Sequence, residues 1–250
     1  MIDKSGQSYI YPEDGHALYA DVEHESFWFR HRKDIVKILA EKYLNPGSTF
    51  ADVGGGTGFI ANALQSNFEV TLIEPNTAAC KKAAERGVKN ILPKTIAEAG
   101  IEHAAFKGIG MFDVVEHFED DLKLLKEVKT ASEKDGFLFV SVPAFQKLWS
   151  EEDARAGHFR RYTKTSLSEK VTQAGFEVVY VSYLFWFLPF PIYLMRVLRG
   201  EQGVAKSTDY KTSKAMLFVL DAALSIEKLL AKIAVSSFIG SSVILVAKNK

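Results

Sequence analysis

The sequence predicts an α/β fold, an open sheet with helices on both faces, and three observations carry that prediction. Short apolar runs of strand length recur between segments of helical periodicity. A glycine cluster, Gly54-Gly55-Gly56-Thr57-Gly58, stands where the first of these runs passes into the next helical segment. An acid, Glu74, directly follows the second run.

The elements follow from changes of period along the chain. Between Glu25 and Leu44 the apolar Phe27, Phe29, Ile35, Val36, Ile38, Leu39 and Tyr43 recur at helical spacing, and Asn45-Pro46-Gly47 stops the pattern. Thr49 to Val53, Glu69 to Ile73, Gly108 to Phe112 and Gly136 to Val142 read as buried parallel strands. Between them, helical signals run from Phe59 to Gln65, from Thr77 to Arg86 with Gly87 as stop, and from Asp120 to Thr130. After Pro143 comes a polar, aromatic loop, then a helix from Thr165 to Gln173, a strand near Val178 and a last strand from Ser241 to Ala247. The stretch before that last strand is an elaboration, with helical patterns from Ile192 to Leu198 and from Ala215 to Ile233 around a charged loop, Gly200 to Thr212. The expected organisation is an N-terminal helical lid over 1–46, a Rossmann-like core of a seven-stranded mixed sheet over 47–182, a helical insertion over 183–240 and a final core strand over 241–250.

Bulk properties narrow the function. A chain of 250 residues, 47% of them hydrophobic, buries one core with room for an elaboration. Thirty-one basic residues balance 31 acidic ones, so no global field exists to hold a nucleic-acid backbone. The single cysteine, Cys80, forms no internal disulfide and fits a reducing compartment. The first residues, Met1-Ile2-Asp3-Lys4-Ser5-Gly6, lack the basic-then-apolar order of a secretory signal, so a cytoplasmic enzyme is expected. Val178 to Met195 contains no charged residue and approaches membrane-spanning length, but Glu177 to Val181 reads as a strand, and Pro189 and Pro191 interrupt a helix through the remainder.

The glycine loop is the centre of the functional reading. Glycines there permit positive φ and a close backbone approach, and the helix N-terminus adds unpaired N–H groups. Glu74, about twenty residues on, stands where this architecture sets an acid against ribose hydroxyls. NAD and S-adenosylmethionine share that adenosine half. The glycines fall at 54, 56 and 58, and Phe59 occupies the position where a dinucleotide fold prefers a close-packing Gly or Ala, which favours S-adenosylmethionine.

At these residues the chain resembles the class I S-adenosylmethionine-dependent methyltransferases. Phe50 to Gly58 is similar to the family's first motif, with Gly55 where a cysteine or serine is more usual. Phe112 to Asp121 and Ser132 to Pro143 resemble its fourth- and fifth-strand regions. The segments Phe27-Trp28-Phe29 with Arg32, Leu148-Trp149-Ser150, and Gly157-His158-Phe159-Arg160-Arg161-Tyr162-Thr163 resemble a prokaryotic subgroup associated with surface-glycan or lipid-linked sugar pathways. The resemblance implies that Gly54, Gly55, Gly56 and Gly58 lie against the methionine end of S-adenosyl-L-methionine, and that Asp52 helps order its amino group. It implies further that Glu74 takes the ribose, that adenine sits near Pro75, Thr95 and Ile96, and that Met111 and Phe112 wall the sulfonium side. The product is then S-adenosyl-L-homocysteine. The acid or amide that the family usually presents to adenine is missing from Pro93 to Ile96.

Methyl transfer to a hydroxyl, the expected O-methylation, needs positioning and removal of a proton. His117, Glu116 and His158 are the candidate catalytic groups, and helix capping is the competing reading for Glu116 and His117. Asp113, Glu116 and His117 also gather ligands on one turn, but such clusters are common without a metal, and none is expected. Trp28 is a candidate for closing over the ligands, with ordinary packing as the alternative. Arg160 and Arg161, beside Tyr162, are candidates for gripping an anionic group of the acceptor, with a solvated pair as the alternative. Trp186, Phe187, Phe190, Tyr193 and Leu194 beside Arg196 and Arg199 suit a lipid-linked acceptor, a peripheral membrane contact through 183–200 or a homodimer interface, with burial favoured over the membrane. The rivals are an NAD-dependent oxidoreductase on the same fold and a non-catalytic S-adenosylmethionine-binding module.

Overall fold

The computed structural model describes Glu23 and residues 26–99, 104–187 and 214–250, the last with side chains from 222 onward. The first helix, α1 (Phe27–Tyr43), buries His31, Arg32, Ile35, Val36, Leu39 and Ala40 along one face and ends before Pro46. Five-residue β1 (Thr49–Val53) and β2 (Glu69–Ile73) flank α2 (Phe59–Leu64). Next come α3 (Thr77–Glu85), β3 (Asn90–Leu92), β4 (Phe106–Phe112), α4 (Asp121–Ala131) and β5 (Ser132–Pro143). A short α5 (Glu151–Ala156) and α6 (Lys164–Gln173) precede β6 (Phe176–Leu184), α7 (Lys214–Lys232) and β7 (Ser242–Asn249).

Capping residues set the helix starts. Asn76 accepts from Ala79 N at α3 and Asp120 from Lys123 N at α4, satisfying amides with no partner inside the helix. The sheet runs β3-β2-β1-β4-β5-β7-β6, with β1 to β5 parallel and β7 antiparallel to both its neighbours, so the expected seven-stranded mixed sheet is present. One core layer holds Ile73, Met111, Leu124, Leu125, Val128 and Leu167, and the other holds Ile35, Leu39, Phe50, Leu64, Leu72 and Phe139. Helices on both faces thereby cover strands that are apolar on both sides.

The apolar run at Glu177 to Val181 forms a strand, as its pattern predicts. Two elements are additional to the sequence reading. Strand β3 has only three residues and sits at an edge, and α5 has no apolar stripe, being held by a capping box between Ser150 and Asp153. The helical pattern from Ile192 to Leu198 and the loop from Gly200 to Thr212 lie outside the described residues. Among the described residues no helix is long and apolar enough to cross a membrane.

Order within the sheet reverses between β1 and β4, and in open α/β sheets the crevice beyond the strand C-termini at such a reversal is the ligand position. The segments after β1, β2, β4 and β5 meet there.

Candidate functional site

The loop after β1 takes its shape from glycine. Gly54, Gly56 and Gly58 have φ of 68°, 54° and 71°, a left-handed region that L side chains avoid. At Gly55 the constraint is space, because a Cβ there would stand 2.4 Å from Asp52 Oδ2 and 2.6 Å from Leu72 Cδ1. The cysteine or serine usual at this position therefore has no room beside the Asp52 carboxylate. Asp52 itself is fully buried at the end of β1, and neither oxygen has a hydrogen-bond partner. Burial, with the neighbouring Glu74 adding to it, pushes its carboxyl up to about 7.

Glu74, also buried, ties the first two loops together. Its Oε2 accepts from Gly56 N at 2.9 Å and its Oε1 from Asn76 N at 2.8 Å. Burial raises its pKa while those two amides oppose the rise. Each oxygen can accept more than one bond, so hydroxyl donors can join the amides. On the far side of the loop, Thr57 Oγ1 donates to Glu23 at 2.6 Å, and Arg86 bridges both residues. Pro75, Thr95 and Ile96 are half-buried near the ends of β2 and β3. Glu98 accepts from Thr95 N and Oγ1, bringing into this turn an acid that 93–96 lack.

Beyond β4 the chain makes a tight turn. Val114 packs on the loop so closely that a Cβ on Gly54 would meet its Cγ2 at 2.8 Å. Asp113, at φ 57°, pairs with Arg32 of α1 and accepts from Ser141. That pairing turns Asp113 away from the set proposed for it with Glu116 and His117. In its place comes His158: ligand-capable atoms of Glu116, His117 and His158 lie within 4.8 Å of one another. Glu116 is fully buried with both carboxylate oxygens unpartnered, and burial pushes it up to about 8. The turn is fixed from outside by Phe159 N donating to Glu116 O at 2.8 Å. The imidazoles of His117 and His158 meet edge to face at 4.7 Å, and His158 Nδ1 bonds Asp153 Oδ1 at 2.9 Å. Burial works against the Asp153 charge, but hydrogen bonds from His158 and Arg161 hold its pKa far below the usual carboxylate range. Asp153 is absent from the residues that the sequence nominates, and its one signal there is its position three residues after Ser150.

The four candidates for the acceptor, Trp28, Arg160, Arg161 and Tyr162, are engaged within the protein, Trp28 by the packing weighed as its alternative. Arg161 grips Asp153 with Nε and Nη2 and donates to Ala144 O, while Arg160 donates to Phe118 O and Glu119 O and pairs with Asp121. Tyr162, 2% exposed, donates to the same Asp121. These three hold the 157–163 segment against the protein instead of facing an acceptor, and His158 is the member left turned to the cluster. Trp28 stacks on Phe185 with centroids 3.9 Å apart, so its ring packs α1 onto the end of β6. Met111 is wholly inside the core, with no surface to wall a ligand, and Phe112 is 7% exposed. Trp186 is exposed at 43% after β6, and most of 183–200 lies outside the described residues.

A family model described as a methyltransferase domain matches residues 23–181. No curated protein matches by sequence. Among solved structures, an S-adenosylmethionine-dependent methyltransferase from Thermotoga maritima, titled as a possible histamine N-methyltransferase, is 19% identical with a TM-score of 0.56, covering 94% of this chain and 99% of its own. Phosphoethanolamine N-methyltransferase 2 of Haemonchus contortus, in complex with S-adenosyl-L-methionine, is 16% identical with a TM-score of 0.60, over 95% of this chain and 57% of its own. The [4+2]-cyclase SpnF is 17% identical with a TM-score of 0.60, over 97% and 99%. At such identities the likeness is one of fold, and the fold hosts more than one reaction.

Proposed function

Because the chain belongs to the methyltransferase-domain family, whose methyl donor is S-adenosylmethionine, we propose that it methylates a hydroxyl oxygen of a small or lipid- or sugar-linked acceptor. The supporting observation is the buried, unpartnered Asp52 carboxylate beneath a loop that only glycine can form. A buried charge without a partner is costly, and a cationic amino group is the kind of partner that offsets the cost. Asp52 with Gly54, Gly55, Gly56 and Gly58 holds the methionine end, Glu74 holds the ribose, and Pro75, Thr95 and Ile96, with Glu98, border the adenine. Bound there, the cofactor supplies an electrophilic methyl group and leaves as S-adenosylhomocysteine.

Glu116, His117 and His158 activate the acceptor from the turn after β4. Val114 contacts the glycine loop two residues before Glu116, which sets this cluster beside the cofactor loop. Asp153 fixes the ring of His158, and Arg32 joins α1 to Asp113 over the same turn. The division into an N-terminal lid, a core and an insertion follows this arrangement, with α1 as the lid. Exposed apolar side chains at Trp186, Ile226, Leu229, Ile233 and Phe238 support an acceptor with an apolar portion.

Calorimetry with S-adenosylmethionine, S-adenosylhomocysteine and NAD tests the reading. The first two bind, NAD does not, and Glu74→Gln weakens both at least tenfold, about 1.4 kcal/mol. Binding of NAD instead, or full affinity in the variant, overturns it. Tight binding of S-adenosylmethionine with no methyl transfer to any hydroxyl acceptor would point to the non-catalytic reading.

A further inference from the structure

We propose that Glu116, His117 and His158 bind one divalent transition-metal cation, which holds and acidifies the acceptor hydroxyl. Three independent features of the cluster converge on it. Donor atoms from the three side chains lie within 4.8 Å of one another, a spread that small rotations close to the separations found around a single ion. The Glu116 carboxylate is completely buried and neither oxygen has a hydrogen-bond partner, although Arg32 and Arg161 lie near enough to act on its charge. Such a group is expensive in a folded protein unless a cation sits against it.

The third feature is the support behind His158. Its Nδ1 bonds Asp153 at 2.9 Å, which leaves Nε2 to face the cluster. Carboxylate behind imidazole is the outer-shell arrangement that orients metal-binding histidines and raises their basicity. Asp153 is itself fixed by Ser150 N at 2.8 Å and by two nitrogens of Arg161. The chain thus anchors the His158 support on one side, and on the other it ties the 115–117 turn through Phe159 N to Glu116 O. Asp113, the ligand that sequence spacing alone nominates, is taken by Arg32 and Ser141, so the ligand set draws its second imidazole from His158, beyond α4 and β5.

Two imidazoles and one carboxylate suit zinc, cobalt, manganese or ferrous iron more than magnesium or calcium, which favour all-oxygen shells. Three protein ligands leave coordination positions open, as in catalytic metal sites. A hydroxyl bound at one of them loses its proton to solvent more readily. Its oxygen then forms the new C–O bond as the methyl carbon–sulfur bond breaks, the electron pair of that bond stays on sulfur, and the cation is unchanged.

This role in the chemistry rests on the methyltransferase reading, whereas metal binding does not. The full chain, stripped with a chelator and dialysed, is titrated with Co²⁺ and with Zn²⁺ by calorimetry, and with Co²⁺ by visible absorption. Wild type binds one equivalent, and His158→Ala and Glu116→Gln each bind at least tenfold more weakly. Separate titration with S-adenosylhomocysteine shows whether each variant remains folded at the cofactor loop. Wild type that binds no more cobalt or zinc than His158→Ala overturns the proposal, even if S-adenosylhomocysteine binds well. Metal binding without S-adenosylhomocysteine binding would leave the metal site standing and remove the methyltransferase reading instead.

Discussion

At the scale of single residues, Asp52 shows how a site is paid for in stability. Its carboxyl is raised to about 7 by burial, so the folded protein retains a proton that an ordinary aspartate, with a pKa of about 3.9, gives up on unfolding. A raised acid lowers stability as pH climbs from the unfolded value to the folded one, and the loss is complete above the latter. Asp52→Asn has no such titration. The cofactor-free variant gains on wild type between pH 4 and pH 8, by about 4 kcal/mol, while its affinity for S-adenosylmethionine falls tenfold or more. Denaturant melts at the two pH values with parallel calorimetry measure both effects. A stability difference that does not change with pH would show that Asp52 stays ionised in the fold.

Elements show where the sequence was legible and where it was not. Strands β1, β2 and β4 are apolar on both faces and end in glycines or acids, so composition marks them, and the Gly54 to Glu74 spacing marks the cofactor end of the site. The acceptor end is built across long loops, and spacing misassigned it. Arg160, Arg161 and Tyr162 look like a ligand grip in sequence, but their partners Asp121 and Asp153 come from other turns. The packing of α1 on α7 is likewise a tertiary fact. His31 Nε2 meets Glu227 Oε2 at 2.8 Å, and the same carboxylate accepts from Phe185 N and Trp186 N, the first two contacts buried and the third partly so. Glu227→Ala leaves a buried imidazole and two amides without that acceptor. It should cost about 3–5 kcal/mol, read as a lowered unfolding midpoint. A loss below about 1 kcal/mol would mean that water replaces the carboxylate and that the clasp adds little.

Across the whole molecule, the site is a junction more than a pocket in one element. Glu23 and Arg86 hold Thr57, Glu74 holds the Gly56 and Asn76 amides, and Arg32 holds Asp113 over the turn after β4. Loops from three parallel strands and the first helix are therefore joined by bonds at one crevice, and a ligand that orders any of them bears on the rest. At one hundred times its dissociation constant, a ligand that binds only the folded state adds about 2.7 kcal/mol. For a protein of this size that corresponds to roughly 5–11 °C in Tm. S-adenosylhomocysteine should produce such a rise and NAD should not. The location of the gain distinguishes a junction from a local clamp. Hydrogen exchange with and without S-adenosylhomocysteine should show added protection over residues 54–58 and 74–76, and also along α1, which among the described residues meets the site through Arg32 and its neighbours. Protection confined to the glycine loop, with α1 exchanging as before, would mean that the Arg32 pairing with Asp113 transmits nothing and that α1 serves only to cover the sheet.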